Sequence, residues 1–143
     1  MPHSSVKFFR KDFEKMIPQA KKNGLWGEIE TARYYRAKGY EIVDANFRTR
    51  MGEVDIIASN GKWLVFCEVK TRGEEAMDTP AAFVDKNKQK RLVAAALQYV
   101  KMKKYSEKMR FDVAEVTIKK DGSRHIHLIE NAFNGNDVNQ FGV

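Results

Sequence analysis

Two neighbouring segments, Gly52-Glu53-Val54-Asp55-Ile56-Ile57-Ala58 and Val65-Phe66-Cys67-Glu68-Val69-Lys70, place three carboxylates and a lysine inside strand-like apolar runs. Burying an unpaired charge is expensive, so such residues persist in a core strand mainly where a cation, a counter-charge or a reaction uses them. Asn60-Gly61 separates the runs, and Asn-Gly between apolar stretches signals a two-residue type I′ hairpin. Closing that turn with a Ser59–Lys62 pair sets Asp55 opposite Phe66 and Glu53 opposite Glu68. Alternation along each strand then points Glu53, Asp55, Glu68 and Lys70 to one face. Opposed carboxylates destabilise a bare sheet, and a divalent cation resolves the conflict. Magnesium, with manganese as a substitute, is a hard ion held by one or two carboxylates plus water and phosphate oxygens. Such an ion polarises a phosphoryl oxygen and activates water, while Lys70 steadies developing charge or orients the attacking water. The set suits phosphodiester hydrolysis, with Asp55 and Glu68 as direct ligands and Glu53 in support. On spacing alone the alternative is a solvated Glu53 at a strand end and a Glu68–Lys70 ion pair at a sheet edge.

The elements that must position these groups are legible as periodicities. Leu25 to Lys38 reads as a helix with Leu25, Ile29, Ala32 and Arg36 on one face, Glu28, Thr31 and Tyr35 beside it, and Gly39 as its stop. Tyr40 to Phe47, Glu53 to Ser59 and Lys62 to Thr71 read as strands. A second helix opens at Thr79-Pro80 or at Asp85 and runs to about Lys104, with Leu92, Ala95/Ala96, Tyr99 and Met102 as its apolar stripe. Arg110 to Lys119 and His125 to Asn131 read as two further strands joined across Asp121-Gly122. The expected fold is therefore α/β, bordering on α+β, in the order α-β-β-β-α-β-β: a mixed central sheet of about five strands flanked by helices. Residues 24–133 would form that domain. Residues 1–23 would be an N-terminal extension, with a short amphipathic helix over 5–17, and 134–143 a mobile polar tail.

Composition bounds the class. At 143 residues the chain suits one domain with its own core, and its 43% hydrophobic content is ordinary for a soluble protein. No run approaches the roughly 18 apolar residues of a membrane helix, and the N-terminal segment mixes charges of both signs, unlike a signal peptide. A cytoplasmic protein without a membrane partner is expected. The single cysteine, Cys67, excludes an intrachain disulfide and reads as a small buried hydrophobe. The formal charge of +7 favours a polyanion as partner. From Asp85 to Lys104 seven basic residues face one acid, a balance of +6, so Lys86, Lys88, Lys90 and Arg91 open either a phosphate-tracking surface or a solvated helix face. Arg48, Arg50 and Arg72 flank the carboxylate segments and are the other candidates for backbone phosphates.

Beyond these patterns, an acidic residue opening a hairpin, followed across the turn by Glu-x-Lys and preceded by a helix bearing a glutamate, resembles the restriction-endonuclease-like nucleases. Gly27-Glu28, Tyr34-Tyr35, Asn46-Phe47-Arg48, Gly52 to Ala58, Val65 to Arg72, Lys88-Gln89-Lys90-Arg91-Leu92, Arg110-Phe111-Asp112-Val113 and Asn131-Ala132-Phe133 are similar to the bacterial UPF0102, or YraN-like, family. The resemblance runs from Gly24 to Phe133. It implies a nuclease-type fold related to archaeal Holliday junction resolvases, a metal site with Asp55 and Glu68 as ligands assisted by the Val69 carbonyl, a catalytic Lys70, and Glu28 approaching the metal or its water. The family's implied partner is nucleic acid, and DNA, branched or otherwise structured, is the expected one. Symmetric cleavage of a junction would call for a homodimer. A catalytically silent nucleic-acid-binding module and an RNA-directed nuclease are the rival readings. His127 reads as a packing or hydrogen-bonding residue, and Trp26, Tyr34 and Tyr35 as core aromatics with base stacking as the alternative.

Overall fold

The computed structural model describes residues 19–74 and 85–135. They form α1 (Gln19–Ala37), β1 (Glu41–Arg48), β2 (Glu53–Ser59), β3 (Trp63–Gly73), α2 (Lys86–Lys103), β4 (Lys108–Ile118) and β5 (Arg124–Ile129), in the expected order. The helix anticipated over 5–17, the Thr79-Pro80 start and most of the tail lie outside the described residues.

The five strands make one mixed sheet in chain order. All neighbours are antiparallel except β3 and β4, which run parallel from Trp63↔Lys108 to Gly73↔Ile118. A parallel pair needs a crossover, and α2 supplies it. Alternation along β3 sends Leu64 and Phe66 to one face and Val65 and Cys67 to the other. On the first, they pack with Ile57, Phe111 and the α2 residues Leu92, Val93, Ala95, Ala96 and Tyr99. On the second, they meet Tyr35 of α1 with Ile56, Ala58 and Ala114. All four β3 residues are fully buried, as a near-continuous apolar run covered on both faces should be. Cys67 is among them, and burial pushes its thiol well above the ordinary range, which leaves it inert as expected.

Several boundaries and one register differ from the sequence reading. Helix α1 begins six residues before Leu25. Its buried stripe is Gly27, Thr31 and Tyr35, whereas Leu25 and Ile29 are exposed, as is Arg36. Small size decides this: a Cβ on Gly27 would lie 1.8 Å from Thr71 Oγ1, so the helix sits against β3 where no side chain intervenes. At the start of α2, Asp85 is the N-cap, its Oδ1 accepting the Asn87 N–H at 2.9 Å.

The β2–β3 turn is displaced by one residue. Asn60 and Trp63 close it, through Asn60 N–H to Trp63 O at 3.3 Å, and Asn60 Oδ1 accepts the Lys62 and Trp63 amides at 3.0 and 2.8 Å. Gly61 alone has positive φ, at +89°, so the turn has the II′ pattern with glycine at its first central position, not I′. Pairing therefore runs from Ser59↔Leu64 to Ile56↔Cys67, two positions from the expected register. An even slip keeps every side chain on its predicted face.

A buried ion pair ties the layers together. Arg110 and Asp112, alternate residues of β4, are joined by Arg110 Nε and Nη2 donating to the two Asp112 oxygens at 2.9 Å each. Tyr35 OH and the Asn131 amide complete the shell of this fully buried carboxylate, at 2.7 and 3.0 Å, while Arg110 Nη1 donates to Tyr40 OH. Helix α1, β4 and the segment after β5 thus meet at one charge.

Candidate metal and phosphate site

The site lies where β2 and β3 part. Past Ile56↔Cys67 the ladder stops, and the Val69 N–H is taken by Asp55 Oδ2 at 2.8 Å. Continuing the pairing count sets Asp55, not Glu53, level with Glu68. Glu53 is instead directly opposite Arg48 of β1, with Arg48 Nε 3.4 Å from its carboxylate on an exposed edge. The predicted Glu53–Glu68 opposition is thus replaced by Asp55 beside Glu68.

Helix α2 closes the other side. A cleft of about 150 Å³ is lined by Glu53, Asp55 and Glu68 from the strands and by Lys88, Arg91 and Leu92 from α2. The helix, packed on the sheet through its apolar stripe, can come this close because Gly52 has no side chain: a Cβ there would stand 1.9 Å from the Arg91 carbonyl oxygen. The turn carrying Gly52 is itself braced by Thr49, whose Oγ1 accepts the Met51 and Gly52 amides at 3.1 Å. Hairpin and helix thereby present carboxylates and cations across one gap.

Burial and mutual repulsion tune the carboxylates. Asp55 is pushed up to about 6, first by burial and then by the charges of Glu28, Glu68 and Glu53, against the opposing pull of the Val69 N–H. Glu68 is raised by burial, with Lys70 and Lys88 drawing it back. Glu28 is raised too, again by burial first; it lies 3.4 Å from Asn46 Nδ2 and feels Arg48 and Glu53. From α1, on the opposite face of the sheet, it thus comes within electrostatic reach of Asp55.

The donor set fits a hard cation. Glu68 Oε2 is buried and makes no hydrogen bond, an oxygen with unused acceptor capacity inside an acidic cleft. Among the described residues no three His, Cys, Asp or Glu side chains converge into a ready-made cage. Asp55 and Glu68 instead offer two neighbouring carboxylates, a set that would suit a magnesium ion whose remaining positions were filled by oxygen ligands such as water.

Of the other predicted site residues, Lys70 is half-buried on β3, its charge acting on Glu68. Val69 contributes its N–H to Asp55. Arg50 is exposed at the β1–β2 turn and Lys86 on the first turn of α2, while Lys90 is partly buried. Arg72 pairs with Glu115 across the β3–β4 ladder, so its charge is committed within the sheet. His127 is exposed on edge strand β5, not packed. Tyr35 is in the core as expected, but Trp26 stays 36% exposed with the Arg124 guanidinium 3.7 Å from its ring centre. Sequence reasoning missed the roles of Arg110 and Asp112 and of the Gly52–Arg91 contact. For the first a signal existed: opposite charges two apart in an apolar strand share a face and can pair.

These features define a mixed-sheet α/β domain with an acidic cleft at a strand fork and cations facing it. More particularly, the chain belongs to the UPF0102 family. The model for "Uncharacterised protein family UPF0102" matches residues 27–116. A UPF0102 protein of Alkaliphilus metalliredigens is 42% identical over 115 residues, covering 80% of this chain and 99% of the relative. One from Rhodococcus opacus is 40% identical over 111 residues, 77% of this chain and 94% of its own. Another, from Thermodesulfovibrio yellowstonii, is 42% identical over 110 residues, again covering 77% and 94%. The matched span contains the whole cleft. Among the described residues no helix is long and apolar enough to cross a membrane.

Proposed function

We propose that this protein is a divalent-metal-dependent endonuclease that hydrolyses phosphodiester bonds of DNA, branched or structured DNA in particular, in the cytoplasm. The observation carrying the reading is the unpartnered Glu68 Oε2 beside Asp55, in a cleft whose opposite wall is Lys88 and Arg91. Asp55 and Glu68 would hold magnesium or manganese. Such an ion, when bound, supplies Lewis-acid charge at the phosphate. Lys88 and Arg91 hold the substrate backbone over the carboxylates, with Lys86, Lys90 and Arg50 extending the contact. Lys70 orients water or neutralises charge that develops on the phosphate oxygens, and Glu28 adds negative potential that favours the cation. Paired cuts in a junction require two such clefts, so that activity would be carried by a homodimer.

The test is cleavage of supercoiled plasmid, linear duplex, four-way junction, flap and structured RNA with magnesium, manganese or chelator. Metal-dependent cleavage of a DNA substrate is expected, reduced at least about a hundredfold in Asp55→Asn and Lys70→Ala while both variants stay folded by circular dichroism. Full activity in Asp55→Asn would overturn the site. DNA binding without cleavage under any metal would instead favour a catalytically silent accessory protein, and cleavage of RNA alone an RNA-directed nuclease.

A further inference from the structure

A second depression adjoins the cleft and is built differently. It is a groove of about 620 Å³ between the β1–β2 turn and the C-terminal half of α2. Phe47, Met51 and Met102 supply its apolar surface, and Arg48 and Arg50 its charge. Met51 and Met102 are 51% and 58% exposed, two flexible thioether side chains from different elements beside a partly buried ring. That ring is held edge-on to Tyr99 at 5.0 Å, so the groove has a rigid floor and adaptable walls. Its volume is in the range of small-molecule sites. Arg48 lines the groove and ion-pairs with Glu53, which lines the cleft, so the two depressions are neighbours.

We propose that this groove receives an unpaired nucleotide of the DNA strand whose phosphate lies in the cleft. The inference rests on the nuclease reading for its ligand, and charge complementarity points to a strand. Two arginines at the border of an apolar surface suit phosphates on either side of a base, and arginine matches phosphate oxygens in pairs. The apolar surface needs something with an uncovered flat face. In a continuous duplex stacking covers both faces of every base, so only an unpaired or splayed nucleotide can lay one against methionine and phenylalanine. The groove therefore selects for structure in the substrate and is indifferent to sequence.

The experiment measures binding in chelator at fixed ionic strength, where no cleavage intervenes. Fluorescence anisotropy compares a continuous duplex with the same duplex carrying a central bulge that contains 2-aminopurine. Wild type is expected to bind the bulged duplex roughly fivefold tighter or more and to change the 2-aminopurine emission. The Met51→Ser/Met102→Ser double variant, altered only at exposed side chains, should bind both duplexes alike, with no emission change and an unaltered melting temperature. Should it lose the fold, the single variants are each expected to lose part of the preference. Equal binding of both duplexes by wild type, or a preference that survives the double substitution, would overturn the proposal. Cleavage with metal but no bulge preference defeats this inference alone; a bulge preference without cleavage defeats the nuclease reading and leaves the groove standing.

Discussion

Asp55 is raised because folding removes it from water and surrounds it with like charge, and that has a measurable sign. In the folded chain it keeps its proton up to about pH 6, against an ordinary 3.8 when unfolded. Protonation thus stabilises the fold fully below the lower value, and that stability is lost as the pH rises through the upper one. In chelator, Asp55→Asn should be more stable than wild type at pH 7.5 by roughly 1–3 kcal/mol, with the gap closing towards pH 4. Urea unfolding across that range checks it, and a gap that grows on acidification would refute the assignment. Arg110 behaves oppositely. Arg110→Met leaves Asp112 buried without its cation and is expected to cost about 3–5 kcal/mol by the same measurement. Both carboxylates sit in apolar strands, yet one has its counter-charge two residues away and the other is left among like charges.

Among the elements, the contact that matters most for the site is the β1–β2 turn against α2. Gly52→Ala forces backbone away from backbone, so it should destabilise by roughly 1–3 kcal/mol and lower cleavage further than that loss of fold predicts, because Lys88 and Arg91 retreat from the carboxylates. Gly73→Ala meets nothing within 4 Å and serves as the near-neutral control. The elements differed in how far their sequence disclosed them. Strand β2 has the predicted bounds, Glu53 to Ser59, because alternation and a turn delimit it. The shared face of Glu53, Asp55 and Glu68 was equally legible, since it depends only on parity. Register was not: Asn60 spends its side chain on the turn amides, which moves the closing pair by one, and pairing statistics do not foresee that choice. The buried face of α1 was misread for a related reason. Hydrophobicity pointed to Leu25 and Ile29, but close approach to Thr71 rewards the smallest residue, Gly27.

For the molecule as a whole, a charge of +7 coexists with a site built from carboxylates. The two are compatible because the acids occupy a strand fork while the first turns of α2 carry Lys86, Lys88, Lys90 and Arg91. On the proposed nuclease reading, a phosphate backbone would be drawn by that surface and would meet negative charge only at the carboxylates. In chelator, duplex affinity should fall linearly in a log–log plot against salt, and Lys88→Ala/Arg91→Ala should shallow that slope by about two. An unchanged slope would mean that strands do not pass over α2. The fork also bears on how relatives can be read. Asp55 caps the Val69 amide whether or not any reaction takes place, so a lineage that had abandoned catalysis would still have a structural reason to retain an acceptor there. Glu68 Oε2 makes no bond that the fold needs. On the proposed nuclease reading, a descendant that kept the architecture and dropped the chemistry would be free to drift at position 68, and the identity of that residue, more than that of position 55, would separate active relatives from inactive ones.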